Sequence, residues 1–159
     1  MPPSIEVDTE DDVVTLHPDF PVVEGTCRLT EDWSVALPMS FNKRIEDGDL
    51  VFWKPGFTIW TAIWCNDEDK TQQDRLRWLQ NKTSPEAFDV ITGTSDGLTR
   101  YAYRLKEDSD DQREAAFYCF AIGDAGHVQM AIYFDSADDL PLAKEIWQGL
   151  SEQRSERQP

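Results

Sequence analysis

The histidines are the first candidates for chemistry in this chain, because their side chains ordinarily titrate near neutral pH. His17 and His127 are the only two, and neither has a second histidine or a cysteine at metal-ligand spacing. The sequence therefore predicts no zinc or iron centre and no cofactor. Cys119 lies in the apolar run AAFYCFAIG with no base nearby, which favours a core thiol over a nucleophile. No catalytic residue is predicted.

Three basic side chains share one face of a predicted strand, namely Arg100, Arg104 and Lys106. Cross-strand or helix carboxylates could pair with all three, which is the purely structural interpretation. The alternative is a site for an anionic group in an otherwise acidic protein.

A group of aromatic side chains offers a second candidate site. Its members are Trp53, Phe57, Trp60 and Trp64, joined by Tyr101 and Tyr103. One interpretation is the core of a sandwich. The other is a partly open apolar groove that receives a helix or strand of another protein. The second interpretation predicts that some surface of Trp60 or Trp64 stays accessible.

The elements that position these residues centre on residues 48–65, GDLVFWKPGFTIWTAIWC. Asp47-Gly48 and Pro55-Gly56 are tight-turn dipeptides and predict two hairpins. The strand 57–65 is apolar on both faces, so we expect it to be the centre of the sheet and covered on both sides. Strands are predicted upstream at 28–38 and 41–46 and downstream at 87–94, 98–106, 114–122 and 127–134, with an extended edge segment over 13–23.

Helices are predicted over residues 68–82 and 138–153. Asn66 or Asp67 is expected to cap the first helix, whose apolar stripe is thin because it rests on Leu76 and Leu79. The second helix has a fuller stripe that includes Ile146 and Trp147.

Composition limits the classes of partner. The formal net charge is −16, and residues 1–32 carry nine acids and one base, Arg28. Nucleic-acid and anionic-membrane binding require surplus positive charge, so neither is expected. The longest uncharged stretch is too short for a membrane helix, no secretory signal is visible, and three cysteines are an odd number. A cytoplasmic protein is expected.

These patterns predict an α+β fold with a single antiparallel sheet of six to eight strands and helices covering its faces, an α/β/α sandwich. Residues 1–25 are predicted to be an acidic, partly disordered segment, residues 26–153 a single domain, and residues 154–159 a frayed tail.

Two stretches resemble a known superfamily. Asp32-Trp33-Ser34-Val35-Ala36-Leu37-Pro38, followed by Phe41, resembles the first strand of the MOG1/PsbP-like α/β/α sandwich superfamily, and residues 143–150 resemble its last helix. The resemblance implies a non-enzymatic scaffold, since its members are mostly binding proteins, assembly factors and secretion chaperones. Its bacterial branch includes adaptor chaperones of type VI secretion effectors.

The leading hypothesis is a cytoplasmic protein-binding module, an adaptor chaperone or immunity-type protein, linked in the bacterial case to a secretion system. Its partner would be another protein. The alternatives are a small ligand-binding protein or enzyme with a cone-shaped fold of the NTF2 type, and a self-associating protein such as a homodimer.

Overall fold

A computed structural model describes residues 16–106 and 113–153. The strands are β1 (Val22–Arg28), β2 (Trp33–Glu46), β3 (Asp49–Lys54), β4 (Phe57–Cys65), β5 (Phe88–Ser95), β6 (Leu98–Leu105), β7 (Ala116–Ile122), β8 (Gly126–Phe134) and β9 (Leu150–Glu152). The helices are α1 (Gln72–Lys82) and α2 (Leu140–Gln148), the latter preceded by a 3-10 turn at Ala137–Asp139.

The nine strands found in residues 16–106 and 113–153 belong to one antiparallel sheet. Its order is β1-β2-β3-β4-β8-β7-β6-β5, and β9 pairs with the first residues of β2. Strand β4 lies in the middle, between β3 and β8, which confirms the predicted centre of the sheet.

The predicted hairpins are confirmed. Asp47 and Gly48 both have positive φ angles, 54° and 88°, as a two-residue turn of type I′ requires. Gly56 has φ 77° after Pro55, as expected for a type II turn. Asp96 and Gly97 join β5 to β6 in the same way as Asp47 and Gly48 join β2 to β3, with φ 56° and 80°.

Strand β2 is one continuous element of 14 residues, where two strands separated near Pro38 were predicted. The register between β1 and β2 shifts between Val23 and Gly25, so that Val23 pairs with Phe41 while Gly25 pairs with Leu37. Pro38 falls within this irregularity, where its missing N–H breaks no regular ladder bond.

Both helices are shorter than predicted. Helix α1 begins at Gln72 because Thr71, not Asn66 or Asp67, is its cap: the Thr71 hydroxyl accepts the N–H of Asp74 at 3.0 Å. Asp69 has φ 56°, which a helix does not accommodate. Helix α2 ends at Gly149, and the predicted last turn is instead strand β9.

The main hydrophobic core lies on the face of the sheet that α2 covers, here called the α2 face. Ala143, Ile146 and Trp147 of the helix are buried in one cluster with Phe52, Ile59 and other apolar side chains of the sheet. The indole Nε1 of Trp147 also donates to the carbonyl of Phe120 at 2.9 Å, which fixes the helix over β7.

The opposite face, here called the α1 face, has a smaller core. Leu79 of α1 packs on Tyr101, Tyr103, Phe120 and Ile122, which belong to β6 and β7. The helix contacts no other strand as closely. Strands β3 and β4 are therefore left without a helix on this side.

The predicted α/β/α sandwich is wrong. Strands make up 54% and helices 17% of the described residues, so this part of the chain is mostly antiparallel sheet, with nine strands instead of six to eight. The two short helices of the described residues cannot cover a sheet of that width: α1 rests on β6 and β7, and α2 on β2, β7 and β8. The architecture implied by the superfamily resemblance fails for the same reason.

Two predictions fall partly on residues outside the described ranges. They are the disorder of residues 1–25, of which 1–15 are not described, and the frayed tail at 154–159. Strand β1 begins at Val22. Within the ranges above, no helix is long and apolar enough to cross a membrane.

Candidate functional site

The three tryptophans of the predicted aromatic group share the α1 face. Trp60 and Trp64 occupy alternate positions of β4, and Trp53 on β3 lies on the same side because it pairs with Thr58. Trp64 is 43% exposed, and Trp53 and Trp60 are half-buried. The predicted accessibility of this surface is thus confirmed for Trp64. Phe57, by contrast, points to the α2 face and is 1% exposed between Phe41 and Phe134.

The two tyrosines predicted to join this group lie under α1. Tyr101 and Tyr103 are both buried, with ring centroids 5.6 Å apart. The Tyr101 hydroxyl lies 2.6 Å from the hydroxyl of Thr83, directly after the helix. Helix α1 therefore separates the tyrosines from solvent and from the tryptophans of β3 and β4.

One end of the tryptophan group is closed by the segment 17–21. The side chain of Asn42 is fully buried and holds this segment: Oδ1 accepts the N–H of His17 at 2.6 Å, and Nδ2 donates to the carbonyls of His17 and Phe20. The ring of Phe20 then meets Trp53 edge to face at 5.0 Å. This contact could not be predicted from the sequence, because Asn42 resembles an ordinary polar strand residue.

Arg44 lies over the tryptophans next to this segment. Its guanidinium carbon is 4.4 Å from the ring centre of Trp53 and 5.9 Å from that of Trp60. Its Nη2 forms an ion pair with Glu46 at 2.7 Å. A cation is thus already bound against the indole faces, as the negative charge of an aromatic face favours.

The other end of the group is built around His127. Its ring stacks on Trp64, with centroids 4.9 Å apart and planes 14° apart. Nδ1 accepts a hydrogen bond of 3.1 Å from Nη1 of Arg75, whose Nη2 donates to Asn66 at 2.8 Å. Burial, reinforced by the charge of Arg75, lowers the pKa of His127 to about 4. The imidazole is therefore neutral at pH 7, with its proton on Nε2.

A cleft of about 590 Å³ adjoins this end, between α1 and the end of β4. Its lining includes Cys65, Arg75 and Trp78, and Trp78 is 49% exposed. Acids and bases balance there, because Asp67, Glu68 and Asp74 face Lys70, Arg75 and Arg77. Among residues 16–106 and 113–153, no three histidine, cysteine, aspartate or glutamate side chains cluster as metal ligands would.

The three predicted anion-binding residues all have internal partners. Arg100 is 3% exposed and donates to the carbonyls of Trp147 and Leu150 at 2.8 and 2.9 Å, so it joins β6 to the end of α2. Burial lowers its pKa, and Asp96 at 3.8 Å opposes that effect. Arg104 donates to the carbonyl of Ala115.

Lys106, the third of these bases, donates from Nζ to the carbonyl of Arg113 at 2.6 Å. Arg104 also lies 3.9 Å from the carboxylates of both Asp89 and Glu114. The arrangement corresponds to the structural interpretation of the three bases.

On the α1 face, a strip of sheet between helix α1 and the segment 17–21 carries no helix, and it is here called the groove. Helix α1 forms one wall over β6 and β7, and the segment 17–21 with Trp53 forms the other. The floor is made by β4 and β8, where Trp60 pairs with Ala131 and Ala62 with Gln129.

No family model matches this chain, and no curated protein matches it.

Proposed function

We propose that the protein is a protein-binding module of the adaptor or immunity type, which acts in the cytoplasm by holding a segment of another protein. The observation that carries the proposal is the row of indole rings left partly exposed along the groove, from Trp53 through Trp60 to Trp64. An exposed row of large aromatic side chains is typical of protein-interaction sites.

The width of the groove favours a helix as the bound segment. Two strands, β4 and β8, separate β3 from β7. With neighbouring strands about 4.8 Å apart, the backbones of β3 and β7 are about 14 Å apart, centre to centre. An α-helix with its side chains is about 10–12 Å across, and a bound helix would run along β4 and β8 with its apolar stripe on Trp60 and the small side chains of Ala62 and Ala131.

The net charge of the protein indicates which charge its partner should carry. The chain has 31 acids and 15 Lys and Arg residues, so a basic partner is attracted and an acidic one repelled. Arg44 already occupies the faces of Trp53 and Trp60, so the cationic side chains of the partner would lie away from these two rings. The proposed ligand is therefore a basic amphipathic helix.

A binding role also accounts for His127 better than catalysis does. Its pKa of about 4 makes it a weak base at neutral pH, and Arg75 and Trp64 hold its ring in place. In a binding module this histidine supports Trp64 and links α1 to the sheet. We accordingly propose that the protein is not an enzyme.

A displayed library of amphipathic helices, with both faces randomised, provides the test. Peptides enriched on the wild-type protein should combine Lys or Arg with large apolar residues. The variants Trp60→Ser and Trp64→Ser should each bind them about tenfold or more weakly, as expected for tryptophan anchors. Ile45→Ser is the matched control, because Ile45 is 72% exposed on the α2 face.

Circular dichroism would establish that all three variants are folded. The proposal is contradicted if no peptide is enriched, or if the enriched peptides bind Trp60→Ser and Trp64→Ser as tightly as Ile45→Ser.

A further inference from the structure

Strand β5 is the last strand of the sheet. Within the described part of the chain it pairs with β6 alone, so its other edge has no strand beside it. Residues 91–95 continue in regular register with residues 98–102. Most of β5 is exposed, including Thr92, Gly93 and Thr94. Such an edge is a template for pairing with another strand.

The two edges of the sheet differ in how they are protected. At the β1 edge a bulge at Gly25, with φ 83°, interrupts the strand, and Glu24 and Arg28 add charge. At the β5 edge the irregularity is confined to the start of the strand near Asp89. The remainder, residues 91–95 with sequence ITGTS, contains no charge, no proline and no bulge. Natural sheets use those devices to prevent edge pairing, and this segment has none of them.

The turn after β5 determines which backbone groups point outward. In a two-residue hairpin such as Asp96-Gly97, the flanking residues Ser95 and Leu98 form the hydrogen-bonded pair. Hydrogen-bonded and non-hydrogen-bonded pairs alternate along two antiparallel strands. The next pair, Thr94 with Thr99, is therefore not hydrogen-bonded, and neither is the pair of Thr92 with Tyr101. The N–H and C=O groups of Thr92 and Thr94 therefore point away from β6.

We propose that this edge pairs with the same edge of a second copy of the chain, antiparallel and centred on Gly93. Thr92 then lies opposite the partner's Thr94, and Thr94 opposite the partner's Thr92. These two pairs exchange the outward hydrogen bonds, and Thr–Thr contacts are favourable across strands. Gly93 meets the partner's Gly93 at the close, non-hydrogen-bonded position, where no side chain has to be accommodated.

The symmetry of this segment favours a second copy over another protein. Thr92 and Thr94 flank Gly93, so a two-fold contact places a Thr opposite a Thr on either side of the centre. Each copy carries a charge of −16, which opposes self-association, but residues 90–95 of β5 are uncharged and add no charge to the contact. A contact of one short strand pair is small, so a weak dimer of micromolar order is expected.

Sedimentation velocity over a concentration series tests the proposal. The wild-type protein should pass from monomer to dimer, and added salt should strengthen the dimer by screening the repulsion. Thr94→Pro removes an N–H that has no role inside the subunit and should leave a folded monomer at every concentration. Thr94→Val keeps the N–H and should still dimerise. A wild-type protein that stays monomeric, or a Thr94→Pro variant that dimerises equally well, would overturn the proposal.

A disulfide at the centre of the interface gives a second test. A Cβ at Gly93 meets no atom within 4 Å, so Gly93→Cys is tolerated. Non-hydrogen-bonded partners have Cα atoms about 4.5 Å apart, within disulfide range. In a background with Cys27→Ser and Cys65→Ser, this variant should form a disulfide dimer under mild oxidation much faster than the exposed control Glu86→Cys. Equal rates of disulfide formation in the two variants would contradict the pairing of two copies at β5. Trp60→Ser should not affect either test, which separates this contact from the groove.

Discussion

Arg75 of α1 donates a hydrogen bond of 3.1 Å to Nδ1 of His127 on β8, across 52 residues of sequence. This bond ties the helix to the sheet at the point where Trp64 stacks on the other side of the imidazole. It requires a neutral histidine, because a protonated Nδ1 cannot accept. The contact therefore makes the stability of this region dependent on pH.

The free energy of unfolding should decrease as pH falls from about 6.5 to about 4. The pKa of His127 is lowered from 6.5 to about 4 in the folded state, so over this range the unfolded chain takes up a proton that the native protein does not. The shift corresponds to at most about 3 kcal/mol. Below pH 4 both states are protonated, and above 6.5 neither is, so the contribution changes no further.

Urea unfolding of the wild type and His127→Gln at pH 7 and pH 4.5 measures this effect. Protonation of carboxylates acts on both proteins alike, so the difference between them isolates His127. The wild type should lose about 2–3 kcal/mol more than His127→Gln between the two pH values. An equal loss in both proteins would show that His127 does not have the lowered pKa.

Arg100→Met should destabilise the protein by about 2–4 kcal/mol. The variant leaves the buried carbonyls of Trp147 and Leu150 without their donor, although methionine fills similar space. Arg77→Met is the control, since the Arg77 side chain is 67% exposed and its pair with Asp74 should contribute less than about 1 kcal/mol. Thermal and urea unfolding measure both. If Arg100→Met were as stable as the wild type, an anion-binding role for Arg100 would regain support.

Gly126→Ala should prevent folding or cost more than about 3 kcal/mol. Gly126 has φ 141°, and a Cβ there would overlap the carbonyl oxygen of Trp64. Gly93→Ala, at a strand position with open space, should change the free energy of unfolding by less than about 1 kcal/mol. Comparing the two by urea unfolding at a concentration where the protein is monomeric tests the close approach of β8 to β4. Equal stabilities would contradict it.

Fluorescence quenching should come from the exposed tryptophans Trp64 and Trp78 and not from the core. Trp64 is 43% exposed whereas Trp33 is 1% exposed. Replacing Trp64 with Phe should therefore remove more of the acrylamide-quenchable emission than Trp33→Phe does. If the two variants lose equal shares, Trp64 is covered in solution and the groove is closed.

Local chemistry determined which parts of the fold could be predicted. The Asp47-Gly48 and Pro55-Gly56 turns depend on two adjacent residues, and the alternation of β4 depends on residues within one strand. The continuity of β2 through Pro38 could not be seen, because it depends on a bulge in the pairing with β1. Leu150 lies four residues after Ile146, so it was predicted to belong to the apolar stripe of the second helix. It is a strand residue because it pairs with Val35, which is distant in sequence.

The candidate site was predicted in part for the same reason. Trp53, Trp60 and Trp64 share a face because of strand alternation, which the sequence reveals. The contacts that shape the groove are Asn42 with the segment 17–21 and Arg75 with His127, and both join residues distant in sequence. The coverage of Tyr101 and Tyr103 depends on where α1 packs, which its two-leucine stripe does not specify.

The indole N–H signals of the six tryptophans provide the most direct test of the binding groove. On addition of a basic amphipathic peptide enriched from the library, the NMR signals of Trp53, Trp60 and Trp64 should shift in proportion to occupancy. Those of Trp33 and Trp147, which are 1% and 2% exposed in the core, should stay unchanged. Shifts confined to Trp78 alone, or no shift in any of the three groove tryptophans at saturation, would contradict the account.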